Sequence, residues 1–255
     1  FKDMNKLRKF ETPHDLLARA YFGDRAVMRR FLEGFLPARL SAALDYDSLE
    51  DSRETFLTPG LKKSMGDLVF RCRSREGHEG SVYILFEHKS HPDHFCAVQV
   101  LRYMALIWED ALKAPGKKVL PFIIPIVFYH GKEHWTGKPL RRLFPEETPF
   151  APHIPDFALL LYDLSKVPEE TLKAGLTNNA MLLLLKALHD ELPARKIAEA
   201  FHLLASAASG RDVAETIRLF FTYLEQARPE ITPDDIEQEM AALPQGDTSM
   251  QTFME

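Results

Sequence analysis

The apolar positions of this chain switch between helical and strand periods in a definite order. Thr12 is placed to cap a helix, with Pro13 in its first turn and Asp15 at the third position, and that helix runs to about Phe22. Asp24 to Leu36 reads as a second helix with Phe31, Leu32 and Phe35 on one face, stopped by Pro37. Residues 38–50 read as a short helix or loop. Strand signals follow: Glu54 to Thr58, a Pro59-Gly60 turn, and about Leu61 to Arg73. Glu76-Gly77 and Glu79-Gly80 mark a hairpin into a strand from Val82 to Lys89. From Asp93 to Lys113 the positions Phe95, Val98, Leu101, Ala105, Ile107 and Leu112 predict a long helix, ended by Pro115-Gly116. Val119 to Tyr129 is β-branched and apolar, a buried strand despite Pro121 and Pro125, and Phe157 to Tyr162 supplies another.

After Asp163 only helical patterns remain, at about 168–190, 193–209, 211–228 and 233–242, punctuated by Pro193, Gly210 and Pro229. Leu182 to Leu185 and Leu219-Phe220-Phe221 give them apolar stripes. The chain is therefore expected to be an α/β domain over residues 1–165 with a helical segment, 166–255, packed on it. The helix between two strands implies that those strands pair in parallel.

One strand ends unusually. The apolar run Val82 to Phe86 passes directly into Glu87-His88-Lys89. Side chains alternate along a strand, so Glu87 and Lys89 share a face with Tyr83 and Leu85. If the preceding strand is an antiparallel neighbour, Asp67 of Gly66-Asp67 lies beside Glu87. Two carboxylates that close need a positive partner. A divalent metal resolves the conflict, and Mg²⁺ favours one or two carboxylates together with phosphate. Mn²⁺ or Ca²⁺ would substitute in binding. Lys89 would orient or help deprotonate an attacking water, or balance charge on a phosphate. The plainer reading is a strand-end pair in which Glu87 bridges to Lys89.

This constellation resembles the PD-(D/E)xK nuclease superfamily, with Gly66-Asp67 and Glu87-His88-Lys89 as its two halves. Four segments narrow the likeness: Thr12-Pro13-His14-Asp15, Phe86-Glu87-His88-Lys89-Ser90, Leu101-Arg102-Tyr103-Met104 and Pro125-Ile126-Val127-Phe128-Tyr129-His130-Gly131. In that order, over roughly residues 12–165, they are similar to the bacterial recombination-promoting nuclease / putative transposase family. Many members carry Gln where this chain has Lys89, so it keeps the fuller metal-nuclease set. The resemblance implies a restriction-endonuclease-like αβββαβ core, a mixed central sheet flanked by helices, with an all-helical C-terminal extension. It implies metal held by Asp67, Glu87 and the main-chain carbonyl of His88. It also implies a polar residue reaching the site from the crossover helix, for which Gln99 is best placed. Asp15 is read either as an acid supporting the site or, more simply, as a helix cap. Tyr129-His130-Gly131 is read as structural or as peripheral to substrate. The set His88, His91, His94 and Cys96 offers a rival zinc reading, but it crosses a strand, Pro92 and a helix, which would splay the ligands.

Net charge is −5 over 255 residues, an odd balance for a DNA-binding protein. Its distribution changes the picture. Residues 1–150 hold 24 Lys and Arg against 20 Asp and Glu, and residues 151–255 hold 8 against 17. The half bearing the motifs is mildly basic and the other strongly acidic. Affinity for nucleic acid follows local positive charge, so Lys62, Lys63, Arg71, Arg73 and Arg102 are candidate DNA contacts, each of which also reads as ordinary solvated surface. No run approaches the ~18 apolar residues of a membrane span. Cys72 and Cys96 make no disulfide framework and read as buried thiols in a reducing, cytoplasmic setting. The chain opens at Phe1 without Met and stops abruptly at Glu255, so further sequence is expected beyond its ends.

Three functions stay open at this level. The first is a Mg²⁺-dependent DNA endonuclease acting in recombination or mobile-element biology. The second is a catalytically inactive DNA- or protein-binding module on the same fold. The third is a toxin-like nuclease regulated by a protein partner through the acidic segment. A homodimer contact is a further expectation for the helical part. No helix-turn-helix or zinc-finger signature suggests base-specific readout.

Overall fold

The computed structural model describes residues 13–52, 68–75, 81–113, 115–116, 118–146, 148–174, 176–207 and 211–243. They divide into two compact units. One is Phe22–Val167, and the other joins the chain up to Tyr21 with the chain from Pro168 onward.

The first unit is built on a five-stranded sheet in sequence order. Its strands are β1 (Leu44–Asp51), β2 (Leu68–Ser74), β3 (Ser81–Lys89), β4 (Phe122–Tyr129) and β5 (Leu160–Asp163). β1, β2 and β3 form an antiparallel meander. β3, β4 and β5 run parallel. The sheet is therefore mixed, and the parallel step from β3 to β4 is made by the crossover helix α4 (Cys96–Ala111). Helix α1 spans Pro13–Phe22, α2 spans Arg25–Phe35 and α3 spans Ala38–Ala42. Asp24 caps α2, its carboxylate accepting from Ala26 N at 2.8 Å and Val27 N at 2.9 Å.

The two sheet faces carry different chemistry. On one, Phe86, Phe128 and Tyr162 meet Phe22, Phe31 and Phe35. Ring centroids lie 4.8 Å apart for Phe22 and Phe86 and 5.1 Å apart for Phe31 and Tyr162, within the range of favourable aromatic pairs. On the other face, Val69, Val127, Tyr129 and Trp135 pack with Cys96, Val100, Tyr103, Met104 and Ile107, most of them from α4. The i, i+4, i+7, i+8 and i+11 spacing of those α4 residues is the apolar stripe that buries a helix on a sheet.

Two elements depart from the sequence reading. Residues 38–50, expected to be a short helix or loop, hold both α3 and most of β1. The pattern was obscured by four acids among eight residues and by a register shift between Asp45 and Glu50. Leu44 and Tyr46 point inward, and the irregularity after them returns Leu49 to the core. Ser48 occupies the irregular stretch, donating to Asp45 O at 2.7 Å and accepting from Arg73 N at 2.8 Å. The strand expected at Glu54 to Thr58 and the start of the next at Leu61 lie outside the described residues. The crossover helix also begins later than Asp93, at Cys96.

The second unit is helical. Its members besides α1 are α5 (Glu169–Ala174), α6 (Leu176–Ala187), α7 (Pro193–Ala207), α8 (Arg211–Ala227) and α9 (Pro233–Ala242). Within the segment expected as one helix over 168–190 the described helical residues are α5 and α6, and residue 175 between them lies outside the described residues. Leu182 to Leu185 are all buried, and α6 packs against α5, α7 and α8. Tyr223 of α8 and His14 of α1 share a 2.8 Å hydrogen bond. A reciprocal capping box between Thr232 and Asp235 starts α9.

Candidate active site

Glu87 lies near the C-terminal end of β3, and it is fully buried. β3 enters the core as an apolar strand, and its partners Val127 and Tyr129 on β4 are themselves fully buried. Residues opposed across a ladder share a face, so Glu87 and Lys89 face the same layer as Val127 and Tyr129, beneath α4. A carboxylate there must be paired.

The pairing is specific. Lys89 Nζ lies 3.0 Å from Glu87 Oε1. The same ammonium donates to Gln99 Oε1 at 2.8 Å and to Asp93 Oδ2 at 3.0 Å. Gln99 Nε2 donates back to Glu87 Oε1 at 2.8 Å and to the Tyr103 hydroxyl at 2.9 Å. A lysine has three N–H bonds, and here each has an acceptor. Burial works against the ammonium's charge. The charge and hydrogen bond of Glu87, with the bond to Asp93, outweigh it and hold the Lys89 pKa above the ordinary lysine value. Lys89 is therefore a fixed cation and a donor in this arrangement.

One atom is left over. Glu87 Oε2 is buried and has no hydrogen-bond partner among the described residues. Nearly all buried polar atoms in proteins are satisfied, so this oxygen beside an ordered lysine stands out among the described residues. Among the described residues no group of three or more His, Cys, Asp and Glu is gathered to hold a metal.

The structure brings Glu87, Lys89 and Gln99 together. Asp67 lies outside the described residues. It directly precedes Leu68, whose partner across the β2–β3 ladder is Phe86, which directly precedes Glu87. His88 opposes Phe128 in the β3–β4 ladder. Arg71 opposes Tyr83 and so shares the sheet face of Glu87, farther up the strand. Arg73 is exposed at the other end of β2, where Asp45 Oδ2 accepts from its Nη2 at 3.0 Å. Arg102 is exposed on α4, one turn after Gln99. Lys62 and Lys63 lie outside the described residues. Asp15 falls in α1, within the helical unit.

Sequence reasoning did not assign Asp93 and Tyr103 to this cluster. Tyr103 was visible in principle, since it stands four residues after Gln99 on a helix, the spacing of facing side chains. Asp93 carried no such signal, because the chain between it and Lys89 is an irregular turn. Its second oxygen accepts from Phe95 N at 2.9 Å, which ties the start of α4 to the lysine.

The Tyr129-His130-Gly131 segment supports the end of β3. His130 N donates to Lys89 O at 3.1 Å. The Tyr129 hydroxyl donates to Glu133 O at 2.6 Å, and its ring meets Trp135 edge-on at 5.2 Å. A Cβ on Gly131 would come within 2.3 Å of Ser90 O, so the close passage of the chain beside Lys89 requires glycine there. Of the histidines in the rival zinc reading, His91 pairs with the Ser90 hydroxyl at 3.0 Å and His94 stands edge-on to Phe95.

A mixed sheet, a crossover helix and a buried Glu–Lys–Gln cluster at a strand end make this an α/β protein of nuclease-like fold. Residues 12–214 match the family described as "Putative transposase, YhgA-like", and the chain belongs to that family. It is 32% identical over 120 residues to the recombination-promoting nuclease RpnD of Escherichia coli O157:H7, covering 47% of this chain and 46% of that protein. It is 32% identical over 126 residues to the recombination-promoting nuclease RpnA of Escherichia coli K12, covering 49% and 42%. It is also 25% identical over 160 residues to the K12 protein named inactive recombination-promoting nuclease-like protein RpnE, covering 62% and 53%. The matches to RpnD and RpnA thus span less than half the length of either relative. No solved structure matches the chain at a significant level. No helix among the described residues is long and apolar enough to cross a membrane.

Proposed function

We propose that this chain is a Mg²⁺-dependent DNA endonuclease of the PD-(D/E)xK type, acting in recombination or mobile-element biology. The observation that carries this reading is Glu87 Oε2, buried and, among the described residues, without a hydrogen-bond partner beside an ordered Lys89 and Gln99. Asp67, Glu87 and the main-chain carbonyl of His88 are the proposed ligand set. A divalent ion there would offset charge on the scissile phosphate and lower the pKa of an attacking water.

The chain's own residues have separable tasks. Gln99 fixes the Glu87 carboxylate through Oε1, which leaves Oε2 for the ion. Glu87 and Gln99 hold the ammonium of Lys89 from the buried side. Asp93 is its outward acceptor, with 35% of the side chain exposed against none for Glu87. Exchange of Asp93 for a phosphate oxygen would let Lys89 donate to substrate without leaving its buried partners. A fixed donor aimed at developing charge contributes more than a mobile one.

The test is cleavage of plasmid DNA with Mg²⁺ or Mn²⁺ by the wild type and by Asp67→Ala, Glu87→Ala and Lys89→Ala. Metal-dependent cleavage lost in all three variants supports the reading, with metal affinity lowered in the carboxylate variants and retained in Lys89→Ala. A wild type that binds DNA in a salt-dependent way, yet cleaves none with either metal, would replace the nuclease with a non-catalytic binding module, in line with relatives named inactive.

A further inference from the structure

Two exposed apolar side chains near the candidate site have no role in the chemistry above. Phe95, at the N-cap of α4, is 63% exposed, and Val98 one turn on is 47% exposed. Ordinary folding drives such side chains inward. Phe95, Gln99 and Arg102 stand at i, i+4 and i+7, which places them on one helix face. Gln99 N donates to Phe95 O at 3.2 Å, so this spacing holds from the cap onward. The middle member touches both Glu87 and Lys89. An exposed ring therefore precedes the site residue by one turn, and an exposed guanidinium follows it by one.

A second link fixes the ring to the lysine. Asp93 accepts from Lys89 Nζ through Oδ2 and from Phe95 N through Oδ1. The main chain carrying the ring is held one carboxylate's width from the ammonium. His94 and Phe95 form a T-shaped pair with centroids 4.8 Å apart, and the Phe95 side chain as a whole stays largely exposed. Between Asp93 and Arg102 the chain has no other Asp, Glu, Lys or Arg, and Asp93 is already paired with Lys89. The surface thus combines an aromatic plane, apolar flank and positive charge around a lysine.

That combination suits one occupant. Proteins that hold unpaired nucleic-acid strands stack bases on aromatic rings and track the backbone with cations. Paired bases inside a duplex present no free face to such a ring. We propose that Phe95 is a stacking platform for an unpaired base of a DNA strand whose backbone passes Lys89 and Arg102. The preferred substrate is then single-stranded or locally unpaired DNA rather than intact duplex. This inference rests on the reading that DNA occupies the Glu87–Lys89 site.

The experiment measures binding separately from cleavage. Full-length Glu87→Gln protein and wild type without metal are titrated with fluorescent oligonucleotides of one sequence, as single-stranded DNA, duplex DNA, a duplex with an unpaired bulge, and single-stranded RNA. Phe95→Ala, Phe95→Leu and Phe95→Trp are compared on each. Phe95→Ala and Phe95→Leu are expected to weaken single-stranded and bulged DNA about tenfold, the loss of one base stack, and to leave duplex nearly unchanged. Phe95→Trp should retain affinity and show tryptophan quenching on adding the single strand. Equal affinity of all variants for every oligonucleotide overturns the proposal. Tighter binding of RNA than of DNA overturns the assignment to DNA. A shift of Phe95→Ala from dimer to monomer in size-exclusion chromatography, with DNA binding unchanged, overturns it in favour of a protein contact. Phe95-dependent binding of single strands by a wild type that cleaves nothing would end the nuclease reading while leaving the platform intact.

Discussion

Gln99 binds Glu87 and Lys89 at once, donating to the Glu87 carboxylate at 2.8 Å and accepting from the Lys89 ammonium at 2.8 Å. An amide can do both, because it carries a donor and an acceptor on the same planar group. A carboxylate in its place would repel Glu87, and an alkyl chain would leave one donor and one acceptor unmet. Gln99→Leu is therefore expected to lower stability by about 1–3 kcal/mol, the cost of an unsatisfied buried polar group. Cleavage should fall more steeply, because Glu87 loses its fixed orientation. Denaturant unfolding and a cleavage assay on the same preparation check the two effects. Unchanged stability and unchanged rate would remove Gln99 from the site.

Gly131 offers a test at the backbone. A methyl group there meets Ser90 O at 2.3 Å and the Tyr129 hydroxyl at 2.4 Å, well inside contact distance. Main chain cannot yield as a flexible side chain can. Gly131→Ala is expected to cost about 1–3 kcal/mol, as overpacking of a tight interior does. The strain falls on the residue after Lys89, so catalytic loss should exceed what reduced folding explains. Thermal melting with cleavage measured well below the midpoint separates the two. A variant with wild-type melting and rate would show that the segment adapts freely.

The cysteines give a prediction independent of any substrate. Cys72 and Cys96 are both buried, and neither is in a disulfide. Burial, with a smaller push from Asp45, raises the Cys72 thiol to about 12. The thiolate is the reactive form, so at pH 8 Cys72 stays a protonated thiol in the native protein. A disulfide reagent such as Ellman's should find both thiols silent in the native state and titrate two per chain in denaturant. Fast labelling of one thiol at pH 8 would mean that the strand or helix carrying it opens readily.

The central elements were legible because their periods are clean. β3 is an uninterrupted apolar run ending in charge, and α4 keeps a helical stripe over four turns. Glu87 and Lys89 followed from strand alternation, which puts both on one face, whereas Gln99 followed from the family resemblance, which implies a polar residue reaching the site from the crossover helix. β1 was not legible, because Asp45, Asp47, Glu50 and Asp51 mask its three inward residues, and a register irregularity breaks the alternation. Asp93 was not legible either. Its contact with Lys89 depends on the path of a turn, which no periodic pattern encodes. The grouping of α1 with the C-terminal helices is a long-range relation, carried in part by the Tyr223–His14 bond across 209 residues. Local propensity contains no information on it.

The Glu87–Lys89 pair permits a test of whether its charges serve the fold or the chemistry. Breaking a buried pair by removing one partner leaves an uncompensated charge and typically costs about 3–5 kcal/mol. Lys89→Met keeps the length of the side chain and removes the cation. Glu87 then loses its close positive partner among the described residues while remaining fully buried, and Asp93 loses its own. Glu87→Gln removes the negative charge but leaves Asp93 and Gln99 to hold Lys89, so it should cost less. The double variant, Glu87→Gln with Lys89→Met, should recover part of the stability lost in Lys89→Met alone. A coupling of about 2 kcal/mol or more in a double-mutant cycle, read from urea unfolding, is the expected result. Cleavage should remain absent in all three proteins, including the restabilised one. Stability would then be restored without function, which marks the pair as retained for chemistry. A double variant no more stable than Lys89→Met would show that Gln99 and Asp93, rather than the direct ion pair, carry the cluster.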